Sequence, residues 1–158
     1  MQYAKSAVLV LAIAAASIGC NGAHAQAQPQ GVMQTLAGDI KWNPGRDSGS
    51  QFALVAGSAG QDRLYAVRIR IPADLKVMPH VHPNDRIYTV VSGTFYVGFG
   101  DVFNPDELKA FPPGSVVLVP GKASHFHWAK SGDYDVQVSG VGPTTAQYIN
   151  PADDPRKK

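Results

Sequence analysis

An all-β fold, a sandwich or closed barrel, is predicted by three features of the chain. Seven short runs rich in Val, Ile, Tyr and Phe are punctuated by Gly, Pro and Asp, which is how strands joined by turns read. The clearest of them alternates with period two, as a sheet with one buried face requires. Almost nothing follows a helical period, and closing such a sheet removes its exposed edges.

The first residues precede the fold. "MQYAKSAVLVLAIAAASIGCNGAHAQ" has a lone Lys5, an apolar run from Ala7 to Ile18 and then Ala23-His24-Ala25. That is the layout of a cleaved secretory signal over residues 1–25. The run is shorter than the roughly 20 apolar residues a membrane span needs, and no later segment is continuously apolar. A secreted or periplasmic product beginning near Gln26 is expected. The alternative is a lipid anchor on Cys20, although Ser17 departs from the large aliphatic residue such a site resembles at that place. With Cys20 removed, the sole cysteine is gone, and the mature chain has no disulfide or thiolate ligand.

Residues 26–35 read as a Gln/Ala/Pro tether, 36–149 as one β-barrel and 150–158 as a polar tail, both ends fraying. About 130 mature residues suffice for one domain with a core and not for two. The formal charge of +2 is spread over scattered cations such as Lys41, Arg63, Arg68, Lys109 and Lys130, so no nucleic-acid or membrane-surface footprint is present.

The runs, in order, are "QFALVAG", "LYAVRIRIP", "RIYTVVSG", "TFYVGFG", "SVVLVP", "HFHWAK" and "YDVQVSGVG". In "LYAVRIRI", Tyr65, Val67, Ile69 and Ile71 share the core face, leaving Leu64, Ala66, Arg68 and Arg70 on the other. Ser92-Gly93 between two runs predicts a tight hairpin. "NPDELKAF", with Pro105 before Asp106 and Glu107, predicts the one short helical turn.

Of the five histidines, His24 is in the signal and the rest form two i, i+2 pairs: His80 with His82, and His125 with His127. Residues two apart on a strand point to one side, so each pair can present two imidazoles to one interior, with Phe126 and Trp128 facing the opposite way. Taken singly, each histidine reads as a barrel-lining or loop residue with a hydrogen-bond partner. Two same-face pairs favour a shared metal. Imidazole suits Fe, Mn, Ni, Cu and Zn, and the lack of thiolates argues against a structural zinc knot.

In these residues the chain resembles the cupin superfamily. The first cupin motif runs Gly, five residues, His-x-His, three or four residues, Glu, six residues, Gly. "HVHPNDRIYTVVSG" supplies His80, His82 and Gly93, with Arg86 at the Glu position and Asp74 at the leading Gly. The second motif runs Gly, five residues, Pro-x-Gly, two residues, His, three residues, Asn. "GSVVLVPGKASHFHWA" supplies Gly114, Pro120 and His125, with Lys122 and Ala129 replacing Gly and Asn. The resemblance covers roughly His80 to Val141. It implies a single double-stranded β-helix (jelly-roll) barrel, one divalent ion held by His80, His82 and His125, and a fold that frequently forms homodimers.

The missing glutamate has no nearby substitute, since Glu107 is the chain's only Glu. Asp85 could reach the ion through a strand bulge, and His127 is the other candidate for an additional ligand. A divalent ion held by neutral imidazoles keeps its charge, and an arginine about 6 Å away at effective dielectric 20 adds about 5 kcal/mol of repulsion. Arg86 is therefore expected to turn away, pair with Asp85 in a rim salt bridge, or hold an anion bidentately. Tyr88, on the same face, is the candidate hydroxyl donor to such a ligand, or simply packed. In a metal-free variant, Arg86, Lys122 and the histidines form an anion pocket.

The expected function is thus a metal-binding cupin acting on, or binding, a small anionic organic molecule. As an enzyme it would be of dioxygenase, isomerase or lyase type, with His127 as tuner or proton relay. The alternative is a non-catalytic binding, sensing or metal-buffering protein. Fold alone does not choose between them. No glycine-rich loop opens a helix, so dinucleotide or phosphate-loop binding is unsupported. Ser124 beside His125 is not a triad signal, because strand neighbours face opposite ways.

Overall fold

Period-two alternation in the sequence becomes two antiparallel sheets facing each other. The computed structural model describes residues 31–157, so the signal segment 1–25 and residues 26–30 of the tether lie outside the described residues. In chain order the strands are β1 Asn43–Pro44, β2 Gln51–Gly57, β3 Leu64–Ile71, β4 Lys76–Val81, β5 Arg86–Ser92, β6 Phe95–Phe99, β7 Lys109–Phe111, β8 Val116–Val119, β9 His125–Trp128, β10 Tyr134–Val141 and β11 Gln147–Tyr148. One sheet has six strands in the order β1-β2-β3-β10-β5-β8, the other five in the order β11-β4-β9-β6-β7. Helical structure among the described residues is confined to four short 3-10 turns, where the sequence predicts at most one. One of them, Pro105–Glu107, is the turn expected in "NPDELKAF", where the Asn104 side chain accepts from the Asp106 N–H, an N-cap followed by proline. No helix among the described residues is long and apolar enough to cross a membrane.

The core follows from the alternation. On β3, Tyr65 and Ile71 are buried while Leu64 and Arg70 are exposed, as the pattern predicts. β10 pairs with β3 along its whole length, from Tyr134 opposite Ile71 to Val141 opposite Leu64. Tyr134, Val136 and Val138 thereby meet Phe95 and Val97 from the other sheet in one cluster. Each such aliphatic or aromatic side chain contributes about 1.5–3 kcal/mol on full burial. On the outer face Arg68 grips Asp135 with two bonds, Nε to Oδ1 at 2.9 Å and Nη2 to Oδ2 at 2.7 Å. That fork explains how a carboxylate can be only 3% exposed, since buried charges need hydrogen-bonded partners.

The opposite face of β9 is covered as well. Phe126 lies 5.0 Å ring to ring from Phe103, and Lys76 Nζ stands 4.7 Å over the Trp128 ring. Gly98, opposite Phe126 in the pairing of β6 with β9, leaves room for the ring, which a Cβ there would strike.

One expectation about topology is corrected. Ser92-Gly93 does not close a hairpin: β5 pairs with β10 and β8, whereas β6 pairs with β9 and β7. Gly93, at φ 69°, carries the chain from one sheet to the other, hard against the Asp133–Tyr134 backbone where a Cβ would clash. The C-terminal residues also make defined contacts. Asp154 is buried and accepts from Arg156 Nε at 2.7 Å, while Arg156 Nη2 donates to the Ala146 carbonyl at 3.1 Å. These bonds tie residues 154–156 to the loop before β11.

Candidate functional site

β4 and β9 lie side by side, and their register shifts: Val77 opposes His127, then His80 opposes His125. Three steps on β4 match two on β9, a bulge at Met78-Pro79. The extra residue resets the alternation, so that Val77 lies in the core and His80, three residues on, also lines the interior cavity. His82 follows just past the strand end. Its position is held by the turn between β8 and β9, where the Lys122 N–H donates to the His82 carbonyl at 2.7 Å.

His80, His82 and His125 each offer a nitrogen within 4.8 Å of the others. The hydrogen bonds identify which nitrogen. His80 Nδ1 lies 2.8 Å from the Met78 carbonyl, His82 Nδ1 2.5 Å from that of Thr145 and His125 Nδ1 3.1 Å from that of Ala123. A carbonyl only accepts, so each Nδ1 carries the proton and each Nε2 keeps its lone pair. Such outer bonds fix the tautomer and aim of metal-ligating histidines. Burial first, then the neighbouring His125, pushes His80 down to about 3. Burial and then Arg86 push His82 to about 2, and burial likewise takes His125 to about 4. All three are neutral at ordinary pH, the form that binds metal. The donor set therefore fits a divalent ion of the imidazole-preferring kind.

The other candidates are placed elsewhere or in other roles. His127, two residues along the same face, pairs its Nδ1 with the Tyr134 hydroxyl and is not one of the three converging histidines. Burial holds His127 well below and Tyr134 well above their usual ranges, so the pair is uncharged. The Asp85 carboxylate accepts from the Gly121 N–H at 2.8 Å, tying together the two segments that the cupin motifs mark. Lys122 is exposed and does not line the cavity.

Arg86 and Tyr88 reach the interior from β5, on the sheet facing the histidines. Arg86 is only 6% exposed. Its Nη2 donates to Thr144 Oγ1 at 2.6 Å, and its Nε has no partner. None of the ion pairs among the described residues includes it, so the rim salt bridge with Asp85 is not formed. Tyr88 Oη lies 3.1 Å from His125 Nε2, beside the place an ion would take. Burial raises the Tyr88 pKa while Arg86, hydrogen-bonded nearby, opposes the rise.

Sequence reasoning missed Thr144 and Tyr134. Thr144 is 58 residues from Arg86 and carries no local signal. Tyr134 is legible as a strand residue, and only the packing of the sheet that holds β10 against the sheet that holds β9 brings it to His127.

No protein-family model and no curated protein matches the chain. Among solved structures it is similar to KdgF from a Halomonas species, with 23% identity and TM-score 0.56 over 69% of this chain and 94% of that one. It is similar to the polyketide cyclase RemF from Streptomyces resistomycificus, with 16% identity and TM-score 0.63 over 80% and 91%. An RmlC-like cupin from Shewanella frigidimarina aligns with 17% identity and TM-score 0.54 over 70% and 91%.

Proposed function

We propose that this chain, which has the cupin fold, is a secreted or periplasmic protein that binds one divalent metal ion and a small anionic organic molecule side by side in its barrel. The observation that carries the proposal is the opposition of two groups. Three imidazole Nε2 atoms converge on one sheet, and a buried, incompletely partnered guanidinium projects from the other. His80, His82 and His125 would hold the ion, which supplies Lewis-acid or dioxygen-activating chemistry when bound. Arg86 binds the carboxylate or similar anion through its planar fork, with Thr144 fixing one arm of the guanidinium. The Tyr88 hydroxyl, adjacent to both, donates to the same ligand. His127 and Tyr134 form an uncharged dyad on the cavity wall that orients the ligand by hydrogen bonding.

A metal-free, non-catalytic carrier or sensor that holds the same anion on Arg86 is the second reading. The unneutralised charge of Arg86 beside the histidines favours it, since that charge repels a cation.

Elemental analysis of the protein, purified without chelators, beside His82→Ala tests the metal half. Near-stoichiometric metal that disappears in the variant is expected. No bound metal after reconstitution with Fe, Mn, Ni, Cu or Zn would remove the metal and leave an anion-binding protein.

A further inference from the structure

Polar groups line the barrel around the histidines and Arg86 and again at Arg46, Asp47, Ser50 and Gln51, while the wall formed by the inward faces of β2, β3 and β10 is apolar. The cavity, about 470 Å³, runs from the histidines and Arg86 past Val67, Ile69, Val136 and Val138 to Phe52 and Leu54. The register of β2 on β3 places Phe52 opposite Ile69 and Leu54 opposite Val67, so all four side chains face inward. Yet Phe52 remains 42% and Leu54 49% exposed, and Val67 and Ile69 are only half-buried. A contiguous, inward-facing apolar wall that its own fold does not cover is the mark of a surface meant for an apolar ligand. Hydroxyl groups placed against it would lose water and gain no partner.

Resting on the reading of Arg86 as an anion anchor, we propose that the ligand is an amphiphilic carboxylate. Its head lies on Arg86 beside the histidines, and its alkyl or aromatic body lies along Val67, Ile69, Phe52 and Leu54. A polyhydroxylated sugar acid of similar size has the right head and the wrong body. Charge complementarity sets the orientation: of the two cations lining the cavity Arg86 is buried and Arg46 is exposed to water, and the Asp47 carboxylate on the same wall repels a second acid group.

Calorimetric titration of the protein as isolated with butyrate, hexanoate, octanoate, 2-naphthoate, gluconate and octanol tests the inference. Affinity should rise about twofold to fourfold per added methylene until the wall is covered, and gluconate should bind at least a hundredfold more weakly than octanoate. In Leu54→Gln, a change at a half-exposed position, the chain-length dependence should flatten while binding of butyrate, whose short chain makes least use of the apolar wall, changes least. A response independent of chain length, or gluconate binding as tightly as octanoate, overturns the inference and leaves the anion anchor standing. A flat response accompanied by concentration-dependent dimerisation that Leu54→Gln abolishes also overturns it, assigning the wall to a contact between copies. Octanol binding as tightly as octanoate, with chain-length dependence intact, removes the anchor itself. The two failures are thus told apart.

Discussion

Arg86 is held by Thr144, Nη2 to Oγ1 at 2.6 Å, while its Nε is buried without a partner. A hydroxyl cannot neutralise a guanidinium, so in the ligand-free protein this buried charge is a cost to stability. Two opposite effects are expected of Arg86→Leu. Carboxylate affinity should fall about tenfold to a hundredfold, the worth of charge-assisted bonds at about 1.5–3 kcal/mol, while the Tm of the ligand-free protein should rise. Arg86→Lys should not restore affinity, because an ammonium lacks the planar fork. Titration and thermal melting of the three proteins check this. Carboxylate binding that survives in Arg86→Leu would refute the anchor.

Metal and anion should each strengthen binding of the other. A cation at the three histidines and the Arg86 charge repel, and a carboxylate between them turns that repulsion into two attractions. Metal affinity is expected to rise at least fivefold in saturating octanoate, and by linkage octanoate affinity should rise by the same factor in saturating metal. Paired titrations measure both factors. Independent binding would mean that Arg86 and the histidines serve separate ligands.

Stability of the metal-free protein should fall as pH drops below about 6.5. His80, His82 and His125 have folded-state values of about 3, 2 and 4, and burial lowers His127 as well. Between those values and the unfolded value of about 6.5 the unfolded chain binds more protons, so stability rises with pH. It is fully present above pH 6.5 and lost towards acid, each histidine contributing at most about 1.4 kcal/mol per pH unit. Urea midpoints at pH 7 and pH 5 should differ clearly, and the difference should shrink in His127→Phe. Equal midpoints would show that the imidazoles are not held neutral by burial.

The strands that sequence revealed are those where alternation survives: β2, β3, β5, β6, β8, β9 and β10 coincide with the seven apolar runs. β4 escaped because the bulge at Met78-Pro79 breaks its period. The same bulge lets His80 face inward, so the irregularity that hid the strand builds the site. His80 and His82 were legible anyway, through their spacing. The order of strands was not, because a Ser-Gly turn reads alike whether it closes a hairpin or crosses between sheets. Partners distant in sequence were invisible too: Thr144 for Arg86, Gly121 for Asp85 and the Ala146 carbonyl for Arg156.

Asp74 and Lys122 mark a further case in which the sequence departs from the cupin pattern and the backbone does not. Both occupy motif glycine positions, and they are the two non-glycine residues with positive φ among the described residues, each at 65°. A left-handed residue with a Cβ costs roughly 1–2 kcal/mol, and glycine at such a position loses part of that gain to its freer unfolded chain. Lys122→Gly is therefore expected to stabilise the fold by about 0.5–1 kcal/mol, a rise of a few degrees in Tm. Asp74→Gly should gain less, because aspartate tolerates this conformation better than lysine does. The Lys122 N–H that holds the His82 carbonyl at 2.7 Å is kept in glycine, so metal content should not change. Lys122→Ala removes the side chain without relieving the backbone and should leave Tm unchanged. Calorimetric melting of the three variants separates strain from side-chain effects, and an Ala variant as stable as the Gly variant would show that φ is not the cause.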